Sequence, residues 1–161
     1  MPIKLISCDT TVKAKGNELK HMTDAQFHTC ENEHLFCITY NKLGFHYGVE
    51  YTEIYSQARR HIVPLCELYA HTLPLFLKAF PQTTSFYLLP DNLEFLERNM
   101  KKQGYSQDEQ EELLDESLKE IELCNEIMHP FFKEIYVVKD DNHEEIALLI
   151  KKQLTKERNQ V

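Results

Sequence analysis

Strand patterns alternate with helix patterns along this 161-residue chain, and the alternation constrains its fold more than any other feature. Residues 85–89 and 135–138 are short apolar runs typical of buried strands, and each is followed by a polar turn and a helix pattern. After the first run, we predict that Asp91 or Asn92 caps a helix that Gly104 ends. Strands separated by helices usually pair in parallel, with helices on both faces of the sheet. We therefore predict one α/β domain, residues 1–161, with a mostly parallel sheet.

Capping patterns predict where two of the helices begin. Thr23 with Gln26, and Ser106 with Glu109, have the spacing of a capping box, in which two side chains satisfy the first backbone N–H groups of a helix. The helix that begins after Ser106 carries an apolar stripe that we expect to face the core. Its members are Leu113, Leu114, Leu118, Ile121 and Met128.

A β-hairpin is predicted in the first half of the chain. Residues 35–40 are β-branched and aromatic, and a turn at Gly44 leads into a second strand at residues 45–49. Residues 61–66 also have the composition of a strand. Pro64 counts against that strand, because proline cannot donate a hydrogen bond to a sheet ladder.

The charge of the chain is concentrated in one segment. The formal net charge is −8, and residues 106–126 contain nine acidic residues against the single base Lys119, which also amounts to −8. Duplex binding depends on Lys and Arg that displace counterions from phosphates. We therefore expect no nucleic-acid partner.

Composition also predicts the compartment. No apolar run approaches the roughly 20 residues that span a bilayer, and the first ten residues lack the pattern of a signal peptide. The five cysteines are widely spaced, with no Cys-x-x-Cys pair, so neither a disulfide framework nor a zinc ribbon is indicated. We expect a cytoplasmic protein with free thiols and no membrane partner.

Three stretches of the chain resemble guanylate kinase-like proteins. Residues 86–104 resemble that family's strand, proline-bounded turn and first lid helix, and residues 132–150 resemble its last strand, Asp-Asp turn and closing helix. Residues 36–49 resemble its substrate-binding hairpin with a Tyr-Gly end. The resemblance implies a guanylate kinase-like fold over about residues 7–154. Some residues resemble the ribose bisphosphate phosphokinase branch of that family more than guanylate kinase itself. They are Gly44, Tyr47, Gly48 and residues 73–81.

Phosphoryl transfer in this family requires a glycine-rich loop closed by Gly-Lys-Ser or Gly-Lys-Thr, whose N–H groups hold the phosphates. The chain has four glycines, and none of them precedes a lysine. In one alignment, the loop and its strand lie upstream of Met1. In another, residues 3–7 are the first strand and residues 8–15 an altered loop. Both alignments predict a truncated or altered first strand and no phosphate-binding loop.

Loss of the family's first strand would leave unpaired strand edges inside the sheet. Each unsatisfied buried backbone group costs about 1–3 kcal/mol. We therefore predict that residues 3–7 occupy the central position, or that two chains pair there as a homodimer.

The resemblance also implies lid arginines that stabilise the transferring phosphate, a contribution of about 10³ to 10⁵ in rate. Asn99 and Gln103 occupy two of the aligned places, and Glu112, Leu114 and Asp115 surround the third. Carboxylates at this place would repel a triphosphate. We therefore predict an inactive protein with no cofactor.

On the substrate side, the candidate ligand-binding residues are Lys13, Lys15 and Tyr47. The resemblance implies a phosphate-binding arginine pair where this chain has Val12 and Lys15, and Tyr47 matches the tyrosine of the Tyr-Gly end. Residues 67–70 align with an Asn-Gly-Ser-Arg segment, so its arginine is also absent. Two interpretations of Lys13, Lys15 and Tyr47 stay open. They form a weak anion pocket, or the lysines are solvated and Tyr47 packs in the hairpin.

Two other constellations have alternative interpretations. His28, Cys30 and His34 have spacing compatible with metal ligands, but no fourth ligand is identifiable and we predict no metal. Cys66 and His71 contain the groups of a nucleophile and its base, but no oxyanion donor or orienting acid can be named. A buried strand cysteine is the other interpretation of Cys66.

Two functions remain open at this point. The first is a catalytically inactive guanylate kinase-like module that binds a protein or a phosphorylated ligand through the former substrate cleft. The second is a phosphotransferase that acts on a nucleotide or sugar phosphate with Mg-ATP. The missing Gly-Lys-Ser/Thr loop favours the first.

Overall fold

The structure, a computed structural model, describes residues 3–10, 19–20, 22–60 and 62–158. The chain divides into two compact units, Met1–Pro81 and Gln82–Val161, and we describe each by itself. The prediction of a single domain stays a prediction.

The first unit combines a small sheet with three helices. Its elements are β1 (Ile3–Thr10), β2 (Leu19–Lys20), α1 (Asp24–Asn32), β3 (Phe36–Lys42), β4 (Phe45–Glu50), α2 (Tyr51–Arg59), β5 (Val63–Cys66), a 3₁₀ turn (Ala70–Thr72) and α3 (Leu73–Ala79). The predicted hairpin is confirmed as β3 and β4.

The five strands form one mixed sheet around β1. This strand is parallel to β2 and β5 and antiparallel to β4, and β3 is antiparallel to β4. The prediction of a mostly parallel sheet is not confirmed, because the tight hairpin requires antiparallel neighbours. In the sheet order β1 lies between β2 and β4, which pair with it at residues 7–8 and 9–10, and residues 3–6 pair with β5. The central position of residues 3–7 stays a prediction.

The strand β5 forms despite Pro64. Among the described strands it pairs with β1 alone, with Pro64 opposite Lys4. An edge strand has one side on which a missing N–H disrupts no ladder. The composition of residues 61–66 therefore predicted the strand correctly.

The register of the hairpin follows from its turn. Leu43 and Gly44 both have positive φ, 49° and 75°, as in a type I′ turn, whose twist matches that of the flanking strands. Pairing then proceeds outward one residue at a time from this turn. The first three pairs are Lys42 with Phe45, Asn41 with His46, and Tyr40 with Tyr47.

A β-bulge between Phe36 and Ile38 separates their side chains into two cores. Strand alternation alone would place them on one face of the sheet, but the bulge shifts the register between them. The cluster around Ile38 contains Val49, Ile54 and Phe76. The cluster around Phe36 contains Met22 and Phe27. The hairpin therefore has a different apolar cluster on each face.

Alanine substitutions at Gly44 and Gly48 are expected to destabilise the hairpin for different reasons. At Gly44 a Cβ atom would meet nothing within 4 Å, so the left-handed backbone alone opposes it, at about 1–2 kcal/mol. At Gly48 a Cβ atom would lie 2.8 Å from Cδ1 of Phe36, and moving the ring costs about 1–3 kcal/mol. Urea unfolding measures both free energies.

The variant Phe36→Ala separates these two causes. In its background the cost of Gly48→Ala should fall, because the crowding ring is gone, while the cost of Gly44→Ala should stay the same. An unchanged cost of Gly48→Ala would contradict the steric explanation.

The second unit combines a two-stranded parallel sheet with three helices. Its elements are β6 (Phe86–Pro90), α4 (Leu93–Gln103), α5 (Gln107–Leu123), a π-helical turn (Cys124–Met128), a 3₁₀ turn (His129–Phe131), β7 (Glu134–Val138) and α6 (His143–Arg158). The register pairs Phe86 with Glu134 and Pro90 with Val138.

The predicted helix caps are confirmed. The side chain of Asn92 accepts a hydrogen bond from the Phe95 N–H at 2.8 Å, and Gly104 ends α4 in the left-handed conformation with φ 83°. At α5, Ser106 and Glu109 form a reciprocal capping box in which Glu109 Oε2 accepts from the Ser106 N–H at 2.7 Å. Thr23 and Gln26 do the same at α1.

The capping box of α5 makes stability depend on pH. Its hydrogen bonds from the Ser106 backbone and hydroxyl lower the pKa of Glu109. A lowered pKa stabilises the fold above the ordinary carboxyl range, and this stabilisation is lost as the pH falls through the folded pKa. Glu109→Gln keeps a capping partner but cannot titrate, so its unfolding free energy should lose less between neutral and acidic pH than that of the wild type. Equal losses would contradict this role.

The apolar stripe of α5 was predicted with one error. Leu113 and Met128 are buried, but Leu118 is 44% exposed. At about 100° per residue, Leu118 lies roughly 140° around the helix from Leu113, beyond the buried face. The placement of Leu118 in the core was therefore wrong.

Candidate functional site

Tyr47, the one predicted ligand-binding residue among those described, is half-buried on β4. Its ring stacks on that of Tyr40, with centroids 5.1 Å apart and planes 3° apart. The two residues are directly opposite in the hairpin, so the turn at Gly44 determines this contact. Lys13 and Lys15 lie outside the described residues.

The stack continues into the segment after β5. The Tyr40 ring meets the edge of Tyr69, with centroids 5.2 Å apart and planes at 74°, and Tyr69 stacks on His71 at 5.5 Å. The Thr72 hydroxyl donates to the Tyr69 carbonyl at 2.8 Å and so holds the turn that carries both rings. We call Tyr47, Tyr40, Tyr69 and His71 the aromatic row.

The aromatic row joins two segments that the resemblance assigns to the substrate side. Tyr47 comes from the hairpin, and Tyr69 from residues 67–70. Ala70, which aligns with the absent arginine, is buried. Sequence reasoning missed Tyr40, although counting pairs outward from the hairpin turn would have placed it opposite Tyr47.

The chemistry of the row is that of ring faces with polar edges. Tyrosine and histidine rings offer stacking surfaces, and tyrosine hydroxyls and histidine nitrogens donate to anionic oxygens. Ring faces suit a planar or sugar group, and such donors suit a phosphate. The described residues contain no group of three His, Cys, Asp or Glu side chains that could hold a metal ion.

The two other constellations form no additional site. His28 lies on α1, where its Nδ1 is 3.3 Å from Glu31 Oε2, and His34 lies beyond the end of this helix with φ 55°. Cys66 is half-buried in β5, and His71 stacks on Tyr69 in the aromatic row. The helix end separates His28 from His34.

The sequence between β1 and α1 contains no Gly-Lys-Ser or Gly-Lys-Thr. The sequence between the end of β1 and the start of α1 contains one glycine, Gly16, which precedes Asn17. Residues 8–10 belong to β1, so the alignment that begins an altered loop at Cys8 is wrong at these residues. A strand backbone commits its N–H groups to neighbouring strands.

The helices α4 and α5 contain one arginine, Arg98, and it is paired. Asn99 and Gln103 lie on α4, where Arg98 is the one arginine of the helix. Its guanidinium donates to the Asp140 carboxylate at 2.7 Å. Asp115 on α5 binds Lys119 at 2.5 Å. The positive charge of Arg98 is therefore offset within the second unit.

Cys124, which is buried at the end of α5, pairs with the half-buried Tyr87. The Tyr87 hydroxyl donates to the Cys124 thiol, and burial raises the pKa of both groups. A thiol whose pKa is raised is a poor nucleophile at neutral pH. This pair therefore contributes to packing rather than to covalent chemistry.

Comparison with known proteins places the fold. No protein-family model matches the chain, and no curated protein matches it. Among solved structures, the guanylate kinase from Anaplasma phagocytophilum superposes with a TM-score of 0.71, over 96% of this chain and 76% of that chain, at 17% sequence identity. The fold is guanylate kinase-like. This likeness confirms the fold that the resemblance implied.

None of the described helices is both long enough and apolar enough to cross a bilayer.

The contact between Tyr40 and Tyr47 is expected to be energetically coupled. Aromatic cross-strand pairs contribute about 0.5–1.5 kcal/mol beyond their buried area. A double-mutant cycle with Tyr40→Ala and Tyr47→Ala should show this coupling in the unfolding free energy. The control is Tyr55→Ala, whose ring contacts Tyr51 and Phe80. It should add to Tyr40→Ala, and coupling as strong as that of the first pair would contradict the prediction.

Proposed function

We propose that this protein is a catalytically inactive guanylate kinase-like module that binds a phosphorylated ligand, free or carried by a partner protein, at the aromatic row. The observation that supports this most is that Tyr47 and Tyr69 meet through Tyr40. These residues come from the two segments that the resemblance assigns to the substrate. The row thus supplies ring surfaces and hydrogen-bond donors where a substrate would lie.

Lys13 and Lys15 supply the positive charge in this proposal. Thr10 ends β1 opposite His46, the neighbour of Tyr47, and Lys13 follows Thr10 by three residues in the sequence. Three residues of chain span at most about 11 Å. Connectivity alone therefore limits the distance of Lys13 from the end of β1, which pairs with β4 beside Tyr47.

The absence of catalysis in this proposal rests on two independent deficits. The chain between β1 and α1 has no Gly-Lys-Ser/Thr sequence, so it lacks the donor-phosphate loop. Asn99 and Gln103 replace lid arginines, and Arg98 is paired with Asp140. Each deficit alone removes a group that stabilises the transferring phosphate.

Calorimetric titration at low salt tests both parts of the proposal. We expect saturable heat with GMP, ribose bisphosphate or a phosphorylated peptide, no heat with Mg-ATP at millimolar concentration, and no phosphoryl transfer. A signal with the small ligands assigns the site to a metabolite, and one with the peptide alone assigns it to a partner protein. Saturable Mg-ATP binding with transfer would instead establish the phosphotransferase.

Variants locate the binding site. Tyr47→Phe removes one hydroxyl donor to a charged oxygen and should weaken binding by about tenfold. Lys13→Ala with Lys15→Ala should weaken it further and reduce its salt dependence. The matched control is Tyr136→Phe, whose hydroxyl bonds to Glu134 in the second unit. Equal weakening by Tyr136→Phe would contradict a site at the aromatic row.

A further inference from the structure

The strand β3 has an unprotected edge. Among the described residues it pairs with β4 alone. Natural proteins protect edge strands with proline, charge, bulges or short length, because unpaired N–H and C=O groups accept another strand. The two other outer strands of this sheet follow that rule, since β2 is two residues long and β5 contains Pro64. In β3 the bulge protects only the start of the strand. We call Thr39, Tyr40 and Asn41, which follow the bulge and carry no charge, the β3 edge.

The register of the hairpin determines which backbone groups of this edge are free. The pair that flanks a two-residue turn exchanges both backbone hydrogen bonds, and bonded pairs then alternate along the strands. Tyr40 and Tyr47 are the third pair from the turn, so they bond to each other. Thr39 and Asn41 therefore direct their N–H and C=O groups away from β4. Beyond the hairpin neither has a backbone hydrogen bond to another described residue, and both are exposed. The β3 edge thus offers two donors and two acceptors.

The aromatic row reaches this edge through Tyr40. Its ring stacks on Tyr47, so both lie on one face of the hairpin. In an antiparallel strand added to β3, the residue opposite Tyr40 would form a non-hydrogen-bonded pair with it. Side chains in such pairs lie on the same face with their Cβ atoms about 4.5–5.5 Å apart. That residue would meet the row where Tyr69 contacts Tyr40. Its two neighbours would bond to the backbone of Thr39 and Asn41.

We propose that the ligand of the aromatic row is an extended peptide that adds an antiparallel strand to the β3 edge, with a phosphorylated residue opposite Tyr40. This inference rests on the function proposed above, and it selects a ligand carried by a partner protein over a free metabolite. Main-chain hydrogen bonds would supply affinity, and the row would supply selectivity for the phosphorylated side chain. Antiparallel pairing is slightly more stable per residue than parallel pairing.

A short peptide fits this edge better than the β3 strand of a second copy does. The regular edge ends at the bulge on one side and at the turn of Leu43 and Gly44 on the other. Its two outward-facing residues therefore suit a segment of a few residues. Pairing of two β3 strands would also bring together two molecules that each carry a net charge of −8.

Backbone methylation of the peptide tests the added strand without altering the protein. The probe is a pool of acetylated, amidated heptapeptides with phosphothreonine fixed at the centre and Ala, Thr or Val at the other positions. In calorimetric titration at low salt it should bind at least about tenfold more tightly than acetylated phosphothreonine amide, which cannot form a strand.

An N-methyl group on either neighbour of the phosphothreonine removes a bond to Thr39 or Asn41, and it should weaken binding about tenfold. The matched control is N-methylation of the phosphothreonine itself. That N–H points away from β3 in the proposed register, so this change should have little effect. Weakening by the central N-methyl group alone, or by none of the three, would overturn the proposal.

The outcomes separate this inference from the proposed function. Acetylated phosphothreonine amide that binds as tightly as the peptide would keep the site at the row and overturn the added strand. Binding of GMP or ribose bisphosphate, but of neither phosphothreonine probe, would do the same. Binding of none of these ligands would overturn both the inference and the proposed function.

The variant Thr39→Pro tests the same bonds from the side of the protein. The Thr39 N–H faces the free edge, where proline disrupts no bond of the hairpin. Peptide binding should weaken about tenfold, while binding of acetylated phosphothreonine amide should stay the same, and circular dichroism checks that the variant is folded. Unchanged peptide binding would contradict the proposal. So would a wild-type dimer, seen by sedimentation, that Thr39→Pro converts to a monomer, since the edge would then belong to a second copy.

Discussion

The type I′ turn at Leu43 and Gly44 is the constraint on which the first unit depends. It fixes which residues of β3 and β4 face each other, and a slip by one residue would turn every side chain of a strand to the other face. With this register Tyr40 lies opposite Tyr47, and Gly48 lies beneath the ring of Phe36. The strand β4 then pairs with β1 and continues without a loop into α2. The aromatic row is thus a consequence of two residues at the tip of a hairpin.

The second unit depends more on charge than on register. The acidic residues of α5 begin at a capping box, which favours negative charge at a helix start because the backbone N–H groups there are unpaired. Further along the helix Lys119 binds Asp115. The acidic residues of α5 give the unit one strongly negative side.

The sequence predicted the features that depend on neighbouring residues. The capping boxes, the turn at Gly44 and the glycine stop of α4 are local, because each involves side chains within a few positions of the backbone groups they satisfy. The bulge at Phe36 and the mixed sheet were not predicted, since both depend on which strands meet. The contact of Tyr40 with Tyr69 is also long-range. The placement of Leu118 in the core was wrong for another reason, because the predicted apolar stripe was wider than the buried face of the helix.

The resemblance supplied what local patterns cannot. It assigned both Tyr47 and residues 67–70 to the substrate side, and the rings of Tyr47 and Tyr69 are linked through Tyr40. The resemblance does not place His71 at this site, because His71 lies outside the segments that carry it. Lys13 and Lys15 lie outside the described residues, so this half of the site rests on the sequence alone.

The hairpin separates two apolar clusters by the thickness of a single sheet. On one side Phe27 and Phe36 fill the space beneath α1, and Phe27 also stacks on His46 at 5.4 Å. On the other side His46's neighbour, Tyr47, belongs to the aromatic row. Close-packed interiors transmit strain because they have little free volume. A change of side-chain size under α1 would therefore strain the backbone of β4 and shift the aromatic row. Substitutions on the two faces of the hairpin are thus constrained to evolve together.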